Sequence, residues 1–186
     1  MIITSIERKR GRRNRVEIYV DGELAFDLAR DTVSKRELRP GRPIDRAEIE
    51  AIVAADARRS ALDTAAAMLA RRPRSEREVR RRLAQRKCDP ALIDETVERL
   101  RGMKLIDDAE FARAWAESRD RSSPRGRRLI AGELRAYGVT AAVAGEAAAT
   151  VSEADAAYRV ASKRMRSLTG AVRIGAASTI RRKTAR

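Results

Sequence analysis

The chain has 186 residues, 43% of them hydrophobic but only 3% aromatic, so any core is built from Ala, Leu, Ile and Val. Lys and Arg number 42 against 27 acids, a formal charge of +15, which favours a polyanionic partner such as nucleic acid or an acidic protein surface. There is no histidine and one cysteine, Cys88; this excludes His-based acid–base and nucleophile chemistry, His-ligated zinc and any internal disulfide.

The predicted elements begin with strands. Arg15–Val20 alternates polar and apolar residues, Asp21-Gly22 follows, and Glu23–Leu28 alternates again. Asp-Gly between two such runs signals a hairpin, because glycine tolerates the positive φ of a tight turn. Met1–Ile6 adds a third strand, and Arg8 to Arg15 form a basic loop that includes Arg10, Arg12 and Arg13.

After Pro40-Gly41 the pattern is helical. Asp45 with Glu48 makes a capping box for a long helix whose stripe is Ile49, Ile52 and Val53, continuing to Leu62, Met68 and Leu69, with Pro73 as its interruption. Ser75 with Glu78 caps the next helix, whose apolar face is Val79 and Leu83. Asp89-Pro90 opens a third with Leu92, Ile93, Val97 and Leu100, ended by Gly102. Asp107 with Glu110 caps a fourth carrying Phe111, Ala112, Trp115 and Ala116. Ser123-Pro124 opens a fifth with Ile130 and Leu134, ended by Gly138. Thr140 caps an Ala-rich helix with Val143, and Ser152 with Asp155 starts a last one through Tyr158, Val160 and Leu168. Asp107, Asp108 and Glu110 are read as helix-capping residues rather than metal ligands, and Phe111 and Trp115 as core rather than base-stacking residues.

The helices repeat. A shift of 51 residues places Val79 on Ile130, Leu83 on Leu134, Cys88 on Val139 and Leu92 on Val143. Cys88 therefore reads as a small buried hydrophobe. The fold class predicted is mainly α: tandem three-helix repeats in an elongated, curved array, behind a small N-terminal hairpin or three-stranded extension. The expected division is 1–44 for the extension, 45–105 and 106–151 for two repeats, 152–170 for the start of a third, and 171–186 for a basic, disordered tail.

The outer faces of two equivalent helices carry arginine. Opposite Val79 and Leu83 project Arg74, Arg77 and Arg81; opposite Ile130 and Leu134 project Arg125, Arg128 and Arg135. The guanidinium fork suits phosphate or carboxylate, so these six, with Arg10, Arg12 and Arg13, are the candidate partner- or DNA-binding residues. A general preference for Arg over Lys throughout the chain is the bland alternative. Ten of the fifteen net positive charges lie in residues 121–186. The chain has no phosphate-binding glycine loop, no apolar run long enough for a bilayer and no signal-peptide pattern, so the expectation is a cytoplasmic protein without cofactor, metal or membrane contact.

Several segments resemble the RecX regulatory proteins: Ser75–Leu83, Leu100–Trp115 with its Leu105-Ile106-Asp107-Asp108 and Phe111-Ala112, Pro124–Ile130 and Leu134–Val139. Tyr19–Glu23 is similar to the N-terminal extension of some members. The resemblance covers roughly residues 1–168. It implies tandem three-helix repeats, no catalytic site, and a monomer that binds the RecA–DNA filament and restrains its growth and activity, touching single- or double-stranded DNA. The C-terminus departs from the family, which continues into a full third repeat. The departure points to an altered reading frame or a truncation that leaves one helix of that repeat and some exposed apolar surface. An autonomous basic nucleic-acid-binding protein without a recombinase partner is the alternative; an enzyme built on Asp107 or Asp108 is a distant third.

Overall fold

The computed structural model describes residues 1–11, 14–162 and 164–165. The tail expected at 171–186, Leu168, and Arg12 and Arg13 lie outside the described residues. Three antiparallel strands, β1 (Ile3–Arg8), β2 (Arg15–Val20) and β3 (Glu23–Ala29), form one sheet in the order β1-β2-β3. Asp21 at φ 50° and Gly22 at φ 89° make the tight turn between β2 and β3, as the Asp-Gly pair predicts. The period-two pattern buries Val16, Ile18 and Val20. The chain after Pro40 returns along β1, where Ile3 N–H donates to the Arg42 carbonyl at 3.0 Å and Gly41 N–H to that of Ile3 at 2.8 Å.

Among the described residues there follow the helices α1 (Arg30–Lys35), α2 (Arg46–Leu69), α3 (Glu76–Gln85), α4 (Pro90–Gly102), α5 (Asp108–Ser122), α6 (Arg127–Ala136) and α7 (Ala141–Ala149), and residues 153–162 are helical as well. The chain is thus mainly helical, with tandem three-helix units following the sheet in sequence. Contacts divide it into two compact units. One comprises Met1–Ala70 with Arg80–Arg99, the other Arg71–Val79 with the residues from Leu100 onward.

The first unit has a core of Ile3, Ile18, Val20, Leu28, Leu38, Ile44 and Ile52, with Phe26 and Ile49 at its margin. Helix α2 starts where expected: Asp45 accepts from the Glu48 N–H at 2.7 Å. Its buried positions are Ile52, Asp56, Ala61 and Ala65, however, and Val53 from the predicted stripe is exposed. Small alanines let α2 lie close to its neighbours, and the polar exception, Asp56, ties it to the sheet. Helix α1 lacked a sequence signal; its six residues have no side-chain cap of their own.

The second unit packs α5, α6 and α7 around Phe111, Ala112, Ala116, Ile130, Leu134, Val139 and the alanines of α7. Helix α6 opens at Gly126–Arg127, not at Ser123-Pro124. Pro124 instead follows the end of α5 at Ser122, where a residue that cannot continue a helix is commonly found. Four helix ends share one arrangement. Glu37, Lys87, Lys104 and Gly138 take positive φ, and the N–H of the next residue reaches five residues back: Leu38 to Val33, Cys88 to Leu83, Leu105 to Leu100, Val139 to Leu134. Gly102 is therefore the last residue of α4, and Lys104 supplies the turn. Cys88 is half-buried rather than buried.

Candidate partner-binding surface

The arginines singled out by the sequence separate into two groups. Arg74 and Arg125, equivalent across the repeat and expected to project outward, are turned into ion pairs. Arg74 meets Glu78 at 3.0 Å, where Arg72 also binds at 2.8 Å, and Arg125 pairs with Glu133. Glu133 further accepts from Trp115 Nε1 at 2.8 Å and from Arg119 at 2.9 Å, and the Arg119 guanidinium lies 4.3 Å from the centre of the Trp115 ring. Trp115 and Phe111 pack with Tyr137; Phe111 is buried in the core, as expected, and Trp115 is half-buried at its margin. Each pair neutralises a carboxylate that the helix would otherwise present, and neither was visible from helical periodicity alone.

Arg77, Arg81, Arg128 and Arg135 are exposed. Arg77 reaches the Ala136 carbonyl at 3.2 Å, which places its positive charge at the C-terminal end of α6, where the helix dipole favours a cation. Arg81, Arg128 and Arg135 have no carboxylate partner among the described residues. Arg10 is also exposed, on the loop between β1 and β2.

The start of α3 fixes Arg77. Ser75, fully buried, donates its hydroxyl to the Tyr137 carbonyl at 2.8 Å and accepts from the Glu78 N–H at 3.3 Å. Glu78 in turn accepts from the Ser75 N–H at 3.3 Å, which completes the predicted capping box. The Glu76 N–H donates to Asp108 at 2.9 Å. Thus the α3 N-terminus meets the α6 C-terminus, and oppositely signed dipole ends face each other.

Asp107 and Asp108 have capping roles. Asp107 accepts from Ala109 and Glu110 N–H groups at 2.8 and 3.0 Å. The Glu110 N–H, opposed by burial and aided by Ala109 and Arg113, holds the Asp107 carboxyl below the usual 3.8; burial pushes that of Asp108 up, against the pull of the Glu76 N–H. For Asp107 the folded pKa is the lower one, so its stabilisation is present above 3.8 and lost as pH falls through the depressed value. Asp107→Ala is expected to cost about 1 kcal/mol near neutral pH. Chemical denaturation at pH 7 and in acid checks this: the gap from wild type narrows below pH 3.8. Among the described residues no cluster of three metal-ligating side chains occurs, and no helix is long and apolar enough to cross a membrane.

A helical-repeat chain with basic outer faces is the class of protein that fold and surface define. Residues 1–45 match the Regulatory protein RecX N-terminal domain, 61–100 the first RecX three-helix domain and 107–147 the second. Regulatory protein RecX of Listeria welshimeri is 34% identical over 140 residues, covering 75% of this chain and 52% of the relative; that of Bacillus subtilis is 31% identical over 137 residues, covering 74% and 52%. A crystal structure of regulatory protein RecX superimposes with TM-score 0.60 at 26% identity, over 91% of this chain and 84% of the other. The chain belongs to the RecX family. It spans about half the length of the curated relatives it matches.

Proposed function

We propose that the chain is a cytoplasmic regulator that binds the RecA–DNA filament and inhibits or modulates the recombinase in recombination, DNA repair and the SOS response. The observation that carries this reading is the set Arg77, Arg81, Arg128 and Arg135, exposed on two repeat-equivalent helices of a RecX-family chain without carboxylate partners among the described residues. Exposed arginines on successive units suit a repetitive, polyanionic target, because a second contact made by the same chain forms at high effective concentration. Recombinase ATPase and strand exchange with the purified chain added test the reading. Inhibition well below one chain per recombinase subunit supports it; no change at that ratio overturns it.

The concentration of charge in residues 121–186 favours a second reading, in which the chain binds nucleic acid alone. DNA binding measured with and without recombinase separates the two. Tight, recombinase-independent binding, with a log–log salt slope of roughly −0.9 per neutralised phosphate, favours the second.

Arg81→Glu with Arg128→Glu is the charge reversal to make. Both residues lack an ion-pair partner among the described residues, whereas Arg77 caps α6. Such exposed changes are expected to alter stability by no more than about 0.5 kcal/mol. Filament binding falls on the order of tenfold or more, because reversal adds repulsion to lost attraction. Val79→Asp, at a site with 0% exposure, is the contrasting control and unfolds the helix pair by burying a charge. An Arg81/Arg128 variant that keeps its circular-dichroism signal and still inhibits at the wild-type concentration removes these two arginines from the interface.

A further inference from the structure

Helix α6 carries a glycine that its own fold does not require. Gly132 sits in mid-helix, directly opposite Ile130 and Leu134, and a Cβ built on it would meet none of the described residues within 4 Å. Glycine inside a helix is less stable than alanine, so packing among the described residues gives no reason for its presence. Arg128 lies one turn before it and Arg135 one turn after, both exposed. Beside them Leu129 is 63% exposed. The one acid of α6, Glu133, is held by Trp115, Arg119 and Arg125, so this face carries no free carboxylate. In the first repeat the position equivalent to Gly132 is Arg81, so α3 offers no such gap.

We propose that this face of α6 docks an acidic amphipathic helix of a protein partner, seated against Gly132, with carboxylates taken by Arg128 and Arg135 and an apolar side chain on Leu129. The inference deepens the reading above by assigning a protein, rather than DNA, to this surface. Helix axes ordinarily pack roughly 8–10 Å apart, and a missing side chain at the crossing permits the close end of that range. Arg128 and Arg135 are separated by about 10 Å along the axis, two turns, the spacing of carboxylates on one face of a facing helix. A phosphodiester backbone matches the two guanidiniums but has no use for an exposed leucine. An interface with an apolar centre and an arginine rim does.

The test compares wild type, Gly132→Ala and Gly132→Leu, each as the full chain. The probes are the recombinase filament on single-stranded DNA, a synthetic amphipathic helix of about 20 residues with glutamates two turns apart and leucines between, its Lys-for-Glu counterpart, and a DNA oligonucleotide alone. Gly132→Ala raises the unfolding midpoint by a few degrees, since the added methyl is unopposed. Gly132→Leu, with an unchanged circular-dichroism spectrum, binds both the filament and the acidic helix at least tenfold more weakly, while oligonucleotide binding stays at the wild-type value. Equal binding of the acidic helix by wild type and Gly132→Leu overturns the docking surface, as does a wild type that does not prefer the acidic helix to its basic counterpart. Loss of oligonucleotide binding alone overturns the assignment to protein. If wild type leaves the recombinase unaffected but loses the acidic helix on Gly132→Leu substitution, the docking surface stands and the recombinase reading falls.

Discussion

Replacing Asp56 with alanine is expected to destabilise the first unit by about 3 kcal/mol. The carboxylate is 4% exposed and serves three groups at once. It accepts from the Ala29 N–H at 3.2 and 3.4 Å, from the Thr32 hydroxyl at 2.5 Å, and faces the Arg15 guanidinium at 3.2 Å. Ala29 is the N-cap position of α1 and has no polar side chain to cap the helix, and Asp56, from α2, instead pins the helix start by taking the N–H of Ala29 itself and the hydroxyl of Thr32 in the first turn. The alanine variant leaves an orphaned backbone donor at the start of α1 and a buried hydroxyl. Arg15 retains Asp27, with Nε at 2.5 Å, and is only partly buried, which holds the loss to the lower end of the range for a broken buried pair. Asp56→Asn keeps one acceptor and removes the charge, so it should fall between alanine and wild type. Urea denaturation monitored by circular dichroism measures both. An alanine variant within about 0.5 kcal/mol of wild type shows that the carboxylate does not hold α2 to the sheet.

Asp56 also shows where sequence reading stops. The hairpin, the caps at Asp45, Ser75, Asp107 and Thr140, and the faces carrying Val79, Leu83, Ile130 and Leu134 are legible because each signal is local, written within four residues of itself. Asp56 sits 41 residues from Arg15 and 27 from Ala29, and its place on α2 resembles an ordinary charged helical position. Helix α1 escapes for the same reason, since the carboxylate that pins its start comes from another element. The inward turn of Arg74 and Arg125 is decided by which carboxylates lie within reach, Glu78 and Glu133, and a helical wheel gives angle but not reach. The turns at Glu37, Lys87 and Lys104 are hidden because the residue in the left-handed conformation is not the glycine that ordinarily marks it. At the candidate surface, the wheel identified Arg77, Arg81, Arg128 and Arg135 as outward. The gap at Gly132 carries a signal, a glycine within a helical pattern, but only the structure shows that no described residue fills it.

Gly138→Ala is expected to cost about 2–4 kcal/mol. Two effects add. The backbone at Gly138 has φ +91°, which a residue with a Cβ adopts only under strain, about 1–2 kcal/mol. A Cβ there would also lie 2.8 Å from the Cβ of Arg77 and 2.9 Å from its Cδ. The Cδ is part of a flexible chain and can swing away; the Cβ is fixed to the α3 backbone, so relief requires the start of α3 to draw back from the end of α6. That movement stretches the Ser75 hydroxyl bond to the Tyr137 carbonyl and the Arg77 bond to Ala136, which together tie the two helix ends. A double-mutant cycle divides the terms. With Arg77→Ala in the background, the Gly138→Ala penalty should fall only in part, because the alanine Cβ remains. With Arg77→Gly it should fall to the cost of the backbone conformation alone. Lys87→Gly supplies the converse at the equivalent end of α3, where a lysine already occupies φ 59°; relieving that conformation is expected to leave stability unchanged or raise it by up to about 1 kcal/mol. If Gly138→Ala costs the same with arginine, alanine or glycine at position 77, the close approach contributes nothing, and the glycine is required only for the turn.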